Sequence, residues 1–190
     1  LPWLDPALDR LEKEYQNERA VRLCDHALAV PALLAGRSRA EVLFRLSRFL
    51  DVLSRRERQL EIADETARLA VEARWPQGEV DSANHLGVAY LACGRVVEAR
   101  ECHERALSLA RGIEYPYGVA IAALNLGNAL AALGRSSEAR QHYERSLALF
   151  REAGDRVRES IVVGALGVLL QETDAVAEAE KCQEHRLAVA

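Results

Sequence analysis

Methionine is absent from this sequence, position 1 included, and the chain opens on LPWLDP. The expectation is an excised part of a longer protein or a processed start. Lysine is almost absent: of 25 basic residues only Lys13 and Lys181 carry an ammonium. That bias points to a GC-rich coding genome and says little about function. Aromatic residues make up 5% of the chain, against 49% hydrophobic residues in all, so the core is expected to be Ala and Leu packed at short range. The four cysteines, Cys24, Cys93, Cys102 and Cys182, form no C-x-x-C pair and lack the spacing of a disulfide framework. They read as small buried hydrophobes in a reducing compartment. No apolar run reaches the roughly 18 residues a membrane helix needs, and no signal peptide is recognisable. The expected location is the cytoplasm, with no membrane partner. An excess of positive charge is missing too. The formal net charge is −4 and the pI about 5.8, which argues against a nucleic-acid partner. Charges of both signs are interspersed, so there is no polybasic membrane patch.

Catalytic signatures are equally scarce. His26, His85, His103, His142 and His185 do not fall at metal-ligand spacing. Cys24-x-His26 and Cys182-x2-His185 are lone pairs without a second half. No phosphate-binding G-x4-G-K-[ST] loop occurs. Ser136 and Ser137 read as helix caps, not nucleophiles, and Glu98 and Glu138 recur with a repeat. No enzyme, cofactor or metal is expected.

What is present is a sentence written twice. LGVAYLACGRVVEARECHERALSLA (86–110) returns as LGNALAALGRSSEARQHYERSLALF (126–150), Leu86 falling on Leu126 and Gly87 on Gly127. A third copy holds Leu166-Gly167, Asp174, Ala179 and Leu187, and a weaker early one Leu46-Ser47, Leu50 and Ala63. Each copy reads as two helices. Ala83, Leu86, Gly87 and Tyr90 make the i, i+3, i+4, i+7 stripe of an amphipathic helix, as do Leu43, Leu46, Ser47 and Leu50, then Ala123, Leu126, Gly127 and Leu130, then Val163, Leu166, Gly167 and Leu170. A helix-interior Gly costs about 0.5–1 kcal/mol relative to Ala, so the recurring Gly87 and Gly127 are expected to admit the backbone of another helix. In the second helix a small residue, a medium one and a small one follow each other as Ala99, His103, Ala106, as Ala139, Tyr143, Ser146, and as Ala20, Cys24, Ala27. Gly94-Arg95 and Gly134-Arg135 read as left-handed C-terminal turns, Ser136 or Ser137 as the next cap, and Pro116 and Gly154-Asp155 as breakers. Trp3 is expected to pack the first hairpin.

These motifs resemble the tetratricopeptide repeat. The family pattern W-x2-L-G-x2-Y … A-x3-F … A-x4-P is met as L-G-x2-Y at 86–90 with Ala99 and Ala106, and as L-G at 126–127 with Ala139 and Tyr143. The Trp position holds Ala83 and Ala123, and the closing Pro is missing. The period, Leu86 to Leu126, is longer than the family's usual one of about 34 residues. That variant is similar to the repeats of kinesin light chains, spindle-orientation adaptors and bacterial STAND-type regulators. The resemblance implies an all-α, right-handed α-solenoid: one array over 1–190 of about five antiparallel hairpins, roughly 5–33, 38–73, 79–112, 117–152 and 156–189. Within them ten helices are expected, at 5–16, 18–33, 38–53, 56–73, 79–93, 96–112, 117–133, 136–152, 156–171 and 176–189.

The resemblance also implies a job: a protein-interaction scaffold whose concave groove holds a partner peptide, without catalysis. Carried across position by position, the groove sites are Phe44, Asn84, Leu124 and Gly164; Arg48, Val88, Asn128 and Val168; Asp51, Leu91, Ala131 and Gln171; and, at the edge, Arg45, His85, Asn125 and Ala165. Asn84, Asn125 and Asn128 offer amides to a peptide backbone. Arg45 and Arg48 can receive a carboxylate, and Asp51, one turn from Arg48, is expected as its ion-pair partner. Two other readings stand beside this one. The chain is a sensing segment of a larger bacterial regulator, or it self-associates as a homodimer through its last helix, 176–189, where Ala175, Ala179, Cys182 and Leu187 have no further helix to cover them.

Overall fold

A computed structural model describes residues 3–172. Its helices are α1 (Leu4–Lys13), α2 (Asn17–Ala29), α3 (Gly36–Val52), α4 (Arg56–Glu72), α5 (Pro76–Ala92), α6 (Val96–Gly112), α7 (Pro116–Ala132), α8 (Ser136–Ala153) and α9 (Arg156–Glu172). All regular structure among the described residues is helical. The expected tenth helix lies outside them, as does the dimer contact expected of it.

From α3 onward one geometry repeats. Left-handed backbone recurs at even spacing, at Ser54 (φ 56°), Arg74 (49°), Gly94 (74°), Glu114 (50°), Gly134 (72°) and Gly154 (70°). At five of these turns the next residue's N–H bonds back five positions: Arg55 to Leu50 (2.9 Å), Trp75 to Ala70 (3.1 Å), Tyr115 to Ala110 (2.9 Å), Arg135 to Leu130 (2.9 Å) and Asp155 to Phe150 (3.0 Å). These bonds satisfy carbonyls that a helix end leaves open. The turn within a hairpin and the turn between hairpins are therefore alike. Glycine fills three of the positions; Ser54, Arg74 and Glu114 hold the same backbone with a Cβ.

Several boundaries differ from expectation, each for a local reason. α2 stops at Ala29 because Pro31 restricts Val30 to extended backbone (φ −76°, ψ 117°). Pro116 does not break a helix; it begins α7, as Pro76 begins α5. Proline suits that first position, where its fixed φ fits and no N–H is needed. Ser136 and Ser137 are not caps: Arg135 takes the cap position and gives no side-chain cap bond. The side-chain cap falls instead on Asp155, whose Oδ1 accepts the Arg158 N–H at 3.0 Å.

The chain divides into two compact units, Leu1–Gly94 and Arg95–Ala190. In the first, α2 packs on α3, α3 on α4 and α4 on α5, and α3 also touches α5. Leu4, Leu8, Leu46 and Leu50 are fully buried there, each contributing about 1.5–3 kcal/mol of apolar burial. Trp3 does not pack inward; it caps α1 and stays 52% exposed. In the second unit α6 packs on α7, α7 on α8 and α8 on α9, and α7 touches α9. Its crossings use small residues: Ala99, Ala106, Ala139 and Ser146 are fully buried. The Ser146 hydroxyl donates to the Ala120 carbonyl at 2.8 Å, so its burial is compensated.

Gly127 is needed for a different reason than expected. A Cβ there would stand 2.5 Å from Tyr143 Cε1 and 2.6 Å from Cδ1. An aromatic ring of α8, not a helix backbone, occupies the space. Likewise a Cβ on Gly78 would lie 2.1 Å from the Trp75 ring. Trp75-Pro76-Gln77-Gly78 and Tyr115-Pro116-Tyr117-Gly118 share one pattern, an aromatic just before the helix and a buried glycine three positions on.

Candidate functional site

Within the first unit, helical periodicity places Asp81, Asn84, His85, Val88 and Leu91 on one face of α5, and Glu41, Phe44, Arg45, Arg48 and Asp51 on one face of α3. The Phe44 and His85 rings join the two faces, 5.4 Å apart and tilted by 59°. Arg45 and Arg48 are already occupied. Arg45 Nη2 lies 2.7 Å from Asp9 and 3.4 Å from Glu12, and Arg48 Nη2 lies 2.7 Å from the other Glu12 oxygen. The acidic face of α1 thus supplies the carboxylates that a ligand was expected to bring. Asp51 pairs with Arg56 at the start of α4, not with Arg48. Asn84 is buried, 4% exposed, where an accessible amide was expected; Val88 and Leu91 are half-buried. Burial holds the His85 ring below the ordinary histidine range, with Asp51 and the Ser47 backbone opposing and Arg48 adding to the effect. Asp81, half-buried, has its carboxyl pushed up to about 6 by loss of water alone.

In the second unit the structure gathers four of the expected positions. Asn128, Ala131, Ala165 and Val168 line a pocket of about 300 Å³ with Ala132, Tyr143 and Leu169. Tyr143 Oη donates to Asn128 Oδ1 at 2.8 Å. That bond fixes the amide flip, so the Asn128 NH2 is the end left to a ligand. Asn125 is half-buried and does not line the pocket; Leu124 is buried, 8% exposed. On α9 the same face shows Val157 (72% exposed), Ile161 (54%) and Val168 (57%). A second crevice, about 360 Å³, opens between α6 and α8, lined by Glu104, Leu107, Ser108, Arg111, Leu126 and His142. Burial and the nearby Arg111 hold His142 below its ordinary range.

Sequence reasoning missed Asp81, Ile161 and the pocket role of Tyr143. Asp81 and Ile161 lie three positions before Asn84 and Gly164 on the same helical faces, so that signal was available. The Tyr143–Asn128 bond had none. Among the described residues no group of three or more His, Cys, Asp or Glu is placed to hold a metal ion, and no helix is long and apolar enough to cross a membrane.

These hairpins, with buried small residues on the second helices and an amphipathic stripe recurring on the first helices, define an all-α helical-repeat protein. The tetratricopeptide-repeat profile matches residues 79–152 and again 118–190, and the chain belongs to that family. No curated protein matches it in sequence. Solved structures share the fold at low identity. BtubC (BKLC) from P. vanneervenii superposes with a TM-score of 0.79 at 18% identity, covering 98% of this chain and 78% of that one. A Podosopora anserina kinesin light chain with nearly identical TPR-like repeats gives 0.75 at 21%, covering 100% and 94%. A Rap protein complexed with Competence and Sporulation Factor gives 0.87 at 17%, covering 97% of this chain and 52% of that one.

Proposed function

We propose that the chain is a protein-interaction scaffold that holds a segment of a partner protein on the first-helix faces and does no covalent chemistry. The observation that carries this reading is the Asn128–Tyr143 pocket. Apolar walls from Ala131, Ala165, Val168 and Leu169 surround a polar group whose hydrogen-bonding direction is already set. A pocket of apolar walls with few oriented polar groups is what recognition of a side chain and its backbone requires. The exposed valines and isoleucine of α9 extend the apolar surface beside it. The Rap protein of similar fold was solved with a bound factor, which lends support to ligand binding on such hairpins.

The test is capture from a lysate of the source cells with three forms of the full chain. One is the wild type, one is Val168→Glu in the pocket, and one is Val97→Glu, 49% exposed on the second helix α6. Circular dichroism checks that all three fold. A protein kept by the wild type and by Val97→Glu but lost by Val168→Glu supports the reading. The same protein held equally by all three forms rejects it.

A further inference from the structure

Across the turn between α8 and α9, Arg151 Nε lies 2.8 Å from Glu159, a buried carboxylate in the first turn of α9. The same register holds Glu79 on α5 but Val119 on α7. Arg111 stands one repeat before Arg151, so the copy that supplies the cation lacks its anion. Among the described residues the Arg111 side chain makes no ion pair and no hydrogen bond. It lines the crevice of about 360 Å³ between α6 and α8.

Three donors meet in that crevice. Arg111 brings a planar fork of N–H groups. Ser108 brings a hydroxyl and His142 a ring N–H, neither of them hydrogen-bonded among the described residues. Ser108 and Arg111 are three positions apart on α6 and so share a face. Arg145, another arginine without a side-chain partner, follows His142 by one turn on α8 and acts on its ring. Leu107 and Leu126, both buried, make the apolar wall. The carboxylates that reach His142 are engaged elsewhere. Glu138 accepts two bonds from Arg135, each of 2.7 Å, and Glu104 lies 3.5 Å from Arg100. Glu104 is also seven residues from Arg111, about 10 Å along the α6 axis.

We propose that this crevice is an anion subsite for an acidic side chain of a partner protein, whose carboxylate is received by the Arg111 guanidinium, the His142 ring and the Ser108 hydroxyl while its methylenes lie on Leu107 and Leu126. The carboxylate takes the place that Glu159 fills for Arg151 one repeat on. A monoanion suits the site better than a dianionic phosphate, since Glu104 keeps one negative charge in the crevice. The subsite lies between second helices and shares no residue with the Asn128 pocket, so it is a second contact and not an extension of the first.

The probes are capped tripeptides, Ala-Glu-Ala and its uncharged counterpart Ala-Gln-Ala, titrated into the full ¹⁵N-labelled chain at pH 7. The glutamate peptide is expected to shift the Ser108, Arg111 and His142 signals. It should bind about tenfold more tightly than the glutamine peptide, the gain of one charge-assisted hydrogen bond. It should also raise the His142 pKa, because a carboxylate beside the ring offsets Arg111 and Arg145. Arg111→Gln should reduce binding to the glutamine level. Arg22→Gln, at an exposed arginine of α2 that also lacks a side-chain partner, should leave it unchanged. Val168→Glu should leave it unchanged too, so that the Asn128 pocket and this subsite fail separately; binding lost there would place the peptide in the pocket and overturn the subsite. If the two peptides bind equally, if neither moves those signals, or if Arg111→Gln changes nothing, the subsite is refuted. The same holds if Arg22→Gln weakens binding as much as Arg111→Gln, which would mark general charge attraction, or if inorganic phosphate binds there more tightly than the glutamate peptide.

Discussion

Replacing Gly127 by alanine sets two effects of opposite sign against each other, and the structure decides between them. Alanine restores helix propensity worth about 0.5–1 kcal/mol. Against that, the new methyl would sit 2.5 Å from Tyr143 Cε1. The ring cannot swing aside cheaply, because Tyr143 is 3% exposed and its hydroxyl is tied to Asn128. Forcing a methylene into a packed site costs about 1–3 kcal/mol, and losing the hydroxyl bond adds about 0.5–1.5 kcal/mol. The net expectation is a loss of about 1–3 kcal/mol, read in urea denaturation followed by circular dichroism. Gly112→Ala is the control: it ends α6 and no atom lies within 4 Å of its Cβ position, so it should be neutral or slightly stabilising. In a Tyr143→Ala background the clash is gone, and Gly127→Ala should turn stabilising, giving a coupling of about 2–3 kcal/mol. If Gly127→Ala stabilises the wild-type chain as Gly112→Ala does, the ring is not what requires the glycine.

Other outcomes follow from the same geometry. His103 is fully buried and burial holds it down at about 4. Below pH 6.5 the unfolded chain takes up a proton that the folded chain refuses until about pH 4, so stability falls as pH drops through that window, by roughly 3 kcal/mol in all. His103→Leu should lose that part of the slope when the two stability-versus-pH curves are subtracted; identical slopes would refute the assignment. Glu114 holds φ 50° at a turn where Gly134 holds 72°, so Glu114→Gly should raise stability by about 1 kcal/mol, and a lowered midpoint would count against strain there. Asp155→Ala should cost about 1 kcal/mol through its cap on Arg158; no change in melting temperature would refute the cap.

How far the sequence could be read depended on the range of each interaction. The hairpin-length echo and the apolar stripes placed the middle helices to within a few positions, because helix faces are set by spacing alone. Turn details were harder. Pro116 and Pro31 carry the same restriction, yet one starts a helix and the other follows the end of one, and only the chain on either side decides which. The tetratricopeptide positions reached Asn128, Ala131, Ala165 and Val168, which the pocket brings together. They could not reach the pairing of Arg45 with Asp9 and of Arg48 with Glu12, since those carboxylates sit on α1, two helices back, and follow no period. That pairing changes the meaning of the two arginines from ligand-seeking to structural.

The left-handed turn that recurs from Ser54 to Gly154 sets how such a chain can be lengthened or shortened. Every join from α3 to α9 has the same backbone hand, so a cut at any of these turns leaves ends of the same hand as any other. The two kinds of helix nonetheless alternate, one bearing the Leu-Gly stripe and the other the spaced alanines. Removing a single helix with its turn would close smoothly and yet present an outer helix where an inner one must pack. Removing or duplicating a whole hairpin keeps both join and alternation. From α3 to α9 the chain is thus a string of hairpin cassettes with a like cutting point between successive helices and a permitted phase of one hairpin, a rule that recombination in a genome and a designer building longer arrays would obey alike.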